Sequence, residues 1–96
     1  MKVSEITTND LADYVRADGT EPATNNFLAA ALSAAKGYIK NRTSLTDVEM
    51  DEYEEISIAV FALVADMYDV RSTTAETATE NLTVKAILNL HDKNFL

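Results

Sequence analysis

YEEISIAVFALVADMYDVR, residues 53–71, is the stretch on which the fold turns. Its middle, residues 56–65, is apolar at every position except Ser57, contains no Gly or Pro, and is preceded by a crowd of acids. A run of about ten apolar residues is too short for a bilayer, which takes roughly 20. A helix that is apolar on all sides has to be enclosed by other helices, its own or a neighbour's. The remaining apolar segments are short and amphipathic. The sequence therefore predicts an all-α fold: a small bundle of four helices around a long central third helix.

Working outward, the flanking segments carry helix boundaries. Thr7 and Thr8 offer side-chain oxygens to the free amides of a first turn, and Leu11, Tyr14 and Val15 follow at helical spacing. This first helix should end at Ala17-Asp18-Gly19-Thr20, with Gly19 taking a left-handed conformation at little cost. A second helix starts near Pro22, where a missing amide hydrogen is harmless. Leu28, Ala31, Leu32, Ala35, Tyr38 and Ile39 share one face, and the alanines between them favour helix and allow close approach of another. Arg42-Thr43-Ser44 closes it. Thr46-Asp47-Val48-Glu49 has capping-box spacing and opens the third helix, which either runs on to about Arg71 or breaks near Met50. Residues 72–81 carry no bulky side chain from Ser72 to Glu80 and read as a mobile polar loop. A fourth helix over about residues 83–91 aligns Val84, Ile87, Leu88 and His91, and the tail ends in Phe95 and Leu96.

Composition narrows the function. Ninety-six residues make a single domain, residues 1–96, with one modest core. Two Gly and one Pro argue against a turn-rich β fold, and the absence of Cys removes disulfides and thiolate metal sites. Sixteen acids against eight bases give a net charge of −8. Nucleic-acid affinity rests on Lys and Arg neutralising phosphates; the sole basic grouping is Lys36, Lys40 and Arg42, so neither specific DNA binding nor attachment to an anionic membrane is expected. The first ten residues lack the apolar stretch of a secretory signal, which makes the cytoplasm the default expectation.

No set of residues has catalytic spacing. Glu54 and Glu55 are adjacent, but neighbouring helical residues point about 100° apart and make a poor acid–base pair. His91 is the one histidine and has no second ligand at i±3 or i±4; a place near a helix C-terminus accounts for it. Ser57 has no Gly-flanked elbow, and a bond to a carbonyl one turn back suits it. Asp47, Glu49, Asp51, Glu52, Glu54 and Glu55 form the densest charge cluster. It reads either as helix-end electrostatics or as an acidic face toward a partner or channel. Asp66, Tyr68, Asp69 and Arg71 gather at the end of the central helix. Of these, Asp66, Tyr68 and Arg71, with Phe95 and Leu96, are the candidate subunit or partner contacts. Glu52, Glu54 and Glu55 are the candidate acidic face. The expectation is no enzyme, no cofactor and no metal.

The order of these elements resembles the small head–tail connector (adaptor) proteins of long-tailed double-stranded DNA phages and prophages. Leu11-Ala12-Asp13-Tyr14-Val15-Arg16-Ala17-Asp18 is similar to that family's opening helix, with Val15 where Leu is usual. Phe27-Leu28, Ala31, Ala34-Ala35 and Tyr38-Ile39 resemble its second helix. Ile56, Ala59, Ala62-Leu63, Asp66-Met67-Tyr68-Asp69 and Arg71 resemble its long helix with a Tyr-x-x-Arg ending, and Val84 to Leu88 its last helix. Leu90-His91-Asp92 stands where the family often has Tyr-Arg, so contacts of that pair do not carry over. The resemblance implies a ring of about twelve copies under the portal protein, built by heterologous contacts. Such a ring extends the DNA channel without specific DNA binding and carries the next head-completion or tail protein. The implied location is the virion, with assembly in the host cytoplasm. An acidic regulatory module that inhibits a basic partner by mimicking DNA charge is the alternative.

Overall fold

A computed structural model describes residues 1–72 together with Ile87, Leu88, Leu90 and His91. Four helices follow a short 3-10 turn at Val3–Glu5: α1 (Thr8–Val15), α2 (Pro22–Thr43), α3 (Asp47–Glu52) and α4 (Glu54–Ser72). Ile87, Leu88, Leu90 and His91 are also helical, and there is no strand among the described residues. The all-α class and the small bundle are as expected. The residues read as a polar loop, the rest of the expected last helix, and Phe95 and Leu96 lie outside the described residues.

The boundaries follow from local chemistry. Thr7 and Asp10 close a capping box at α1, and Thr46 and Glu49 close another at α3. Each pair satisfies two amides that lack intrahelical partners. The left-handed turn after α1 falls at Arg16 (φ 59°) and not at Gly19, since no glycine has positive φ. Arg16 donates to Ala12 and Asp13, and Ala17 N–H reaches Ala12 O at 2.8 Å, so the last carbonyls of α1 are capped before the chain arrives at Gly19. Gly19 sits instead where the chain runs close to α1: a Cβ there would make a tight 3.3 Å contact with Ala12 Cβ. Ser44 (φ 62°) ends α2 in the same left-handed way.

The expected third helix is two helices, and the interruption is at Tyr53 rather than near Met50. Tyr53 is extended (φ −113°, ψ 106°), closes α3 with a 3.3 Å bond to Met50 O, and accepts the first α4 amide, from Ile56, at 3.0 Å. Met50 and Ile56 explain the break. Both are buried, at 1% and 0% exposure, yet six residues along one helix turn their side chains about 120° apart. Breaking at Tyr53 lets both face the core. The longest helix is accordingly α2, with 22 residues against 19 in α4.

Leu28, Ala31, Ala35 and Ile39 of α2 join Ile56, Ala59, Val60 and Val64 of α4 in one core, together with Leu11 and Ala12 of α1. The α2–α4 contact is the most extensive between elements. Val3, Ile6, Leu45, Met50 and Leu88 close the core elsewhere. Thr43 is wholly buried; its hydroxyl donates to Ile39 O at 2.7 Å and accepts Leu45 N–H at 3.2 Å.

The apolar run was expected to be enclosed by helices of the chain or of a neighbour; within residues 56–65 only Ile58 is exposed. Ile58 is 53% exposed, whereas Phe61, Ala62, Leu63 and Ala65 are half-buried, the first three packed against the core. Among the described residues, the other helices cover one side of α4 and leave Ile58 open on the other.

Candidate functional site

Two surfaces hold the sequence-derived candidates. The first is the corner where α3 meets α4. Its acids are mostly committed inside the chain. Glu49 accepts from Thr46 N–H at 3.1 Å, Asp47 pairs with Lys40 at 3.3 Å, and Asp51 binds Ser4 twice, through N–H at 2.9 Å and the hydroxyl at 2.7 Å. These two bonds, the hydroxyl's first, hold the Asp51 carboxyl below the usual carboxylate range and pin the N-terminal turn to α3. Between them lies an open cleft of about 340 Å³, lined by Val3, Ser4, Lys36, Asp47, Met50 and Asp51.

Glu52 and Glu54 stand exposed, with Glu54 3.3 Å from the N-terminal amine. Glu55 is turned away from them: its carboxylate meets His91 Nε2 at 2.7 Å. The three candidate acids therefore split into an exposed pair and one side chain tied to the C-terminal helical segment. Glu55 is held below the ordinary range first by its own backbone amide and then by His91. The Tyr53 and His91 rings lie 4.3 Å apart. His91 thus has partners from the α3–α4 corner, which are 36 and 38 positions away in sequence. Local spacing offers no signal for them. No group of three or more acids, His or Cys among the described residues could hold a metal ion.

The second surface is the outer side of α4. Glu54, Ile58, Phe61, Ala62, Ala65 and Asp69 recur there at three- and four-residue steps, opposite the buried stripe. Tyr14 of α1 joins them, 54% exposed and with its ring 5.1 Å from that of Phe61. A solvent-facing helix surface is ordinarily polar; here three turns pass with only apolar side chains between acids at the two ends. Sequence reasoning missed this surface because it treated the run as interior.

Asp66 is half-buried at the far end of α4. Loss of solvent, and then the nearby Asp69 charge, push its carboxyl above the usual range. Tyr68 is half-buried against Phe27, ring centroids 6.3 Å apart, so one candidate contact packs within the chain. The Arg71 side chain, Phe95 and Leu96 lie outside the described residues. No helix among the described residues is long and apolar enough to cross a membrane. No protein-family model, curated protein or solved structure matches the chain.

Proposed function

We propose that this chain is a structural subunit of a head–tail connector, assembling as a ring beneath a phage portal and carrying a head-completion or tail protein. The observation that carries the reading is the outward apolar stripe of α4, with Ile58 53% exposed. Ile58 and Tyr14, both exposed, flank half-buried Phe61 in an apolar patch of the kind that marks an interaction surface. The resemblance noted in the sequence adds support, as a short first helix, a long second and a long later helix follow in the order it implies. A net charge of −8 suits a channel wall that repels phosphates and lets DNA pass. Site chemistry points the same way, since the acids of α3 act as caps and tethers: Asp47 pairs with Lys40, Glu49 caps Thr46 and Asp51 holds Ser4.

The alternative reading, an acidic module that mimics DNA, draws less support. Asp47, Glu49, Asp51 and Glu55 are each engaged within the chain, and Glu54 is paired with the N-terminal amine, which leaves few acids of that corner to imitate a phosphate backbone. Co-sedimentation with the portal oligomer encoded in the same genome tests the proposal. Co-sedimentation in a fixed ratio, retained in moderate salt, is the expected result. Binding to a small basic protein, lost steeply with salt, and none to the portal would favour the DNA mimic.

A further inference from the structure

Ile87, Leu88, Leu90 and His91 are helical and pack on elements far from them in sequence. Leu88 has 0% exposure and belongs to the core, with Ile87 half-buried against it. Leu90 is 80% exposed. Leu88 and His91 are three positions apart and so share one side of the helix. A helix of fewer than about 12–15 residues is marginal in water, and the sequence predicts this one over about residues 83–91. Tertiary contacts therefore hold it.

Those contacts divide the work. Burial of Leu88 attaches the piece without fixing its orientation, because the hydrophobic effect is non-directional. His91 supplies the direction. Its Nε2 lies 2.7 Å from Glu55 Oε1, and its ring centroid lies 4.3 Å from that of Tyr53. Tyr53 is the extended residue that ends α3, and Glu55 follows in the first turn of α4, so the helix break sets both partners side by side. The His91 side chain is 13% exposed and that of Glu55 45%, which shields the bond at one end. A hydrogen bond to a carboxylate is stronger than one between neutral groups. By contrast, α2 and α4 hold each other through four buried apolar side chains apiece. An element held by one core side chain and one polar contact opens at lower free energy than elements held by whole stripes.

We infer that Ile87, Leu88, Leu90 and His91 form a strap over the α3–α4 junction, latched by His91 on Glu55 and Tyr53, that opens while the core of α1, α2 and α4 stays folded. Opening bares the Tyr53 ring and vacates the place of Leu88 in the core. The inference is independent of the connector reading.

The chain has no Cys, so an introduced thiol is the sole reactive one. Leu88→Cys reports on the strap, and Val60→Cys, from a residue of α4 with 0% exposure, reports on the core. Far-UV circular dichroism checks that each variant stays folded. Labelling by an aromatic disulfide reagent, normalised to an unstructured thiol peptide, is followed at low urea concentrations. Leu88→Cys should react about tenfold faster than Val60→Cys or more, with a weaker urea dependence, because denaturant sensitivity scales with the surface exposed on opening. Adding Glu55→Ala or His91→Ala should each speed Leu88→Cys labelling several-fold, and the two together no more than either alone. Equal rates and equal urea dependence would overturn the inference, since both thiols would then be reached through global unfolding. Latch variants that leave Leu88→Cys labelling unchanged, or whose effects simply add, would overturn the latch. Leu88→Cys itself weakens the strap, so the unaltered chain provides a second test. His91 is the sole histidine, which makes its ring-proton signals unambiguous, and the Tyr53 ring should displace them from their unstructured positions. Signals at the unstructured positions would overturn the inference.

Discussion

Ile56 and Ile58 are the same residue two positions apart in one apolar run, and the structure gives them opposite surroundings. Ile56 has 0% exposure and Ile58 53%. Replacing each by Ala removes the same carbons. At Ile56 the loss leaves a cavity in the core as well as forfeiting burial, and such substitutions cost about 3 kcal/mol. A domain of this length has a total stability of roughly 5–14 kcal/mol, and the expected fall in Tm is roughly 12–24 °C. At Ile58 about half the side chain already meets water, so the transfer loss is about 0.5–1 kcal/mol. Alanine's better helix propensity returns a few tenths of a kcal/mol. The difference between the two variants should therefore exceed about 2 kcal/mol. Urea denaturation of both, followed by far-UV circular dichroism at low protein concentration, measures it. Equal costs at low concentration would show that Ile58 is buried within the single chain, and the interaction surface would not exist.

Other perturbations follow from the local geometry. Thr43→Val keeps the shape but leaves the buried Leu45 amide without its acceptor, which should cost about 1–3 kcal/mol in the same assay; an unchanged midpoint would contradict the hydrogen-bond pattern. Arg16→Gly relieves a left-handed side-chain residue, φ 59°, at an exposed position and should stabilise by up to about 1 kcal/mol; a loss would place the cap elsewhere. Asp66 has a raised folded pKa, so the native state holds that proton more tightly than the unfolded chain does, and the ionised form costs stability above the raised value. Asp66→Asn should thus stabilise at neutral pH, with the gain fading as pH falls through that value; a neutral-pH loss would mean an unseen cation partner. Asp51 and Glu55 are shifted the other way. Their contribution is present above the ordinary carboxylate range and disappears as pH falls through their lowered folded values, so Asp51→Asn should be most destabilising at neutral pH and least at strongly acid pH.

Features governed by local chemistry were legible in the sequence. The caps at Thr7 and Thr46 need partners three residues away, and both form. Ser57 bonds the carbonyl of Glu54 at 2.7 Å, as a hydroxyl inside an apolar helix should. The buried stripe of α2 follows from spacing alone, apart from Tyr38, which is 41% exposed. Features set by tertiary demand were not legible. A break near Met50 was one of two readings, but its place at Tyr53 was not legible; that comes from the need of Met50 and Ile56 to face one core. Gly19 looks like the natural left-handed residue, yet the Arg16 cap takes that role first. The Glu55–His91 and Ser4–Asp51 pairs join segments 36 and 47 positions apart, beyond the reach of any local pattern. The exposure of Ile58 was hidden by the hydrophobic run itself, since hydropathy records what a side chain prefers and not which side of a helix its neighbours cover.

Electron microscopy of the portal oligomer with and without this protein tests the central claim most directly. The account predicts an added ring of helical subunits with cyclic symmetry, in which the outer stripe of α4 is covered by a neighbouring molecule. A bare portal, or a ring in which Ile58 and Phe61 face open solvent, would contradict it.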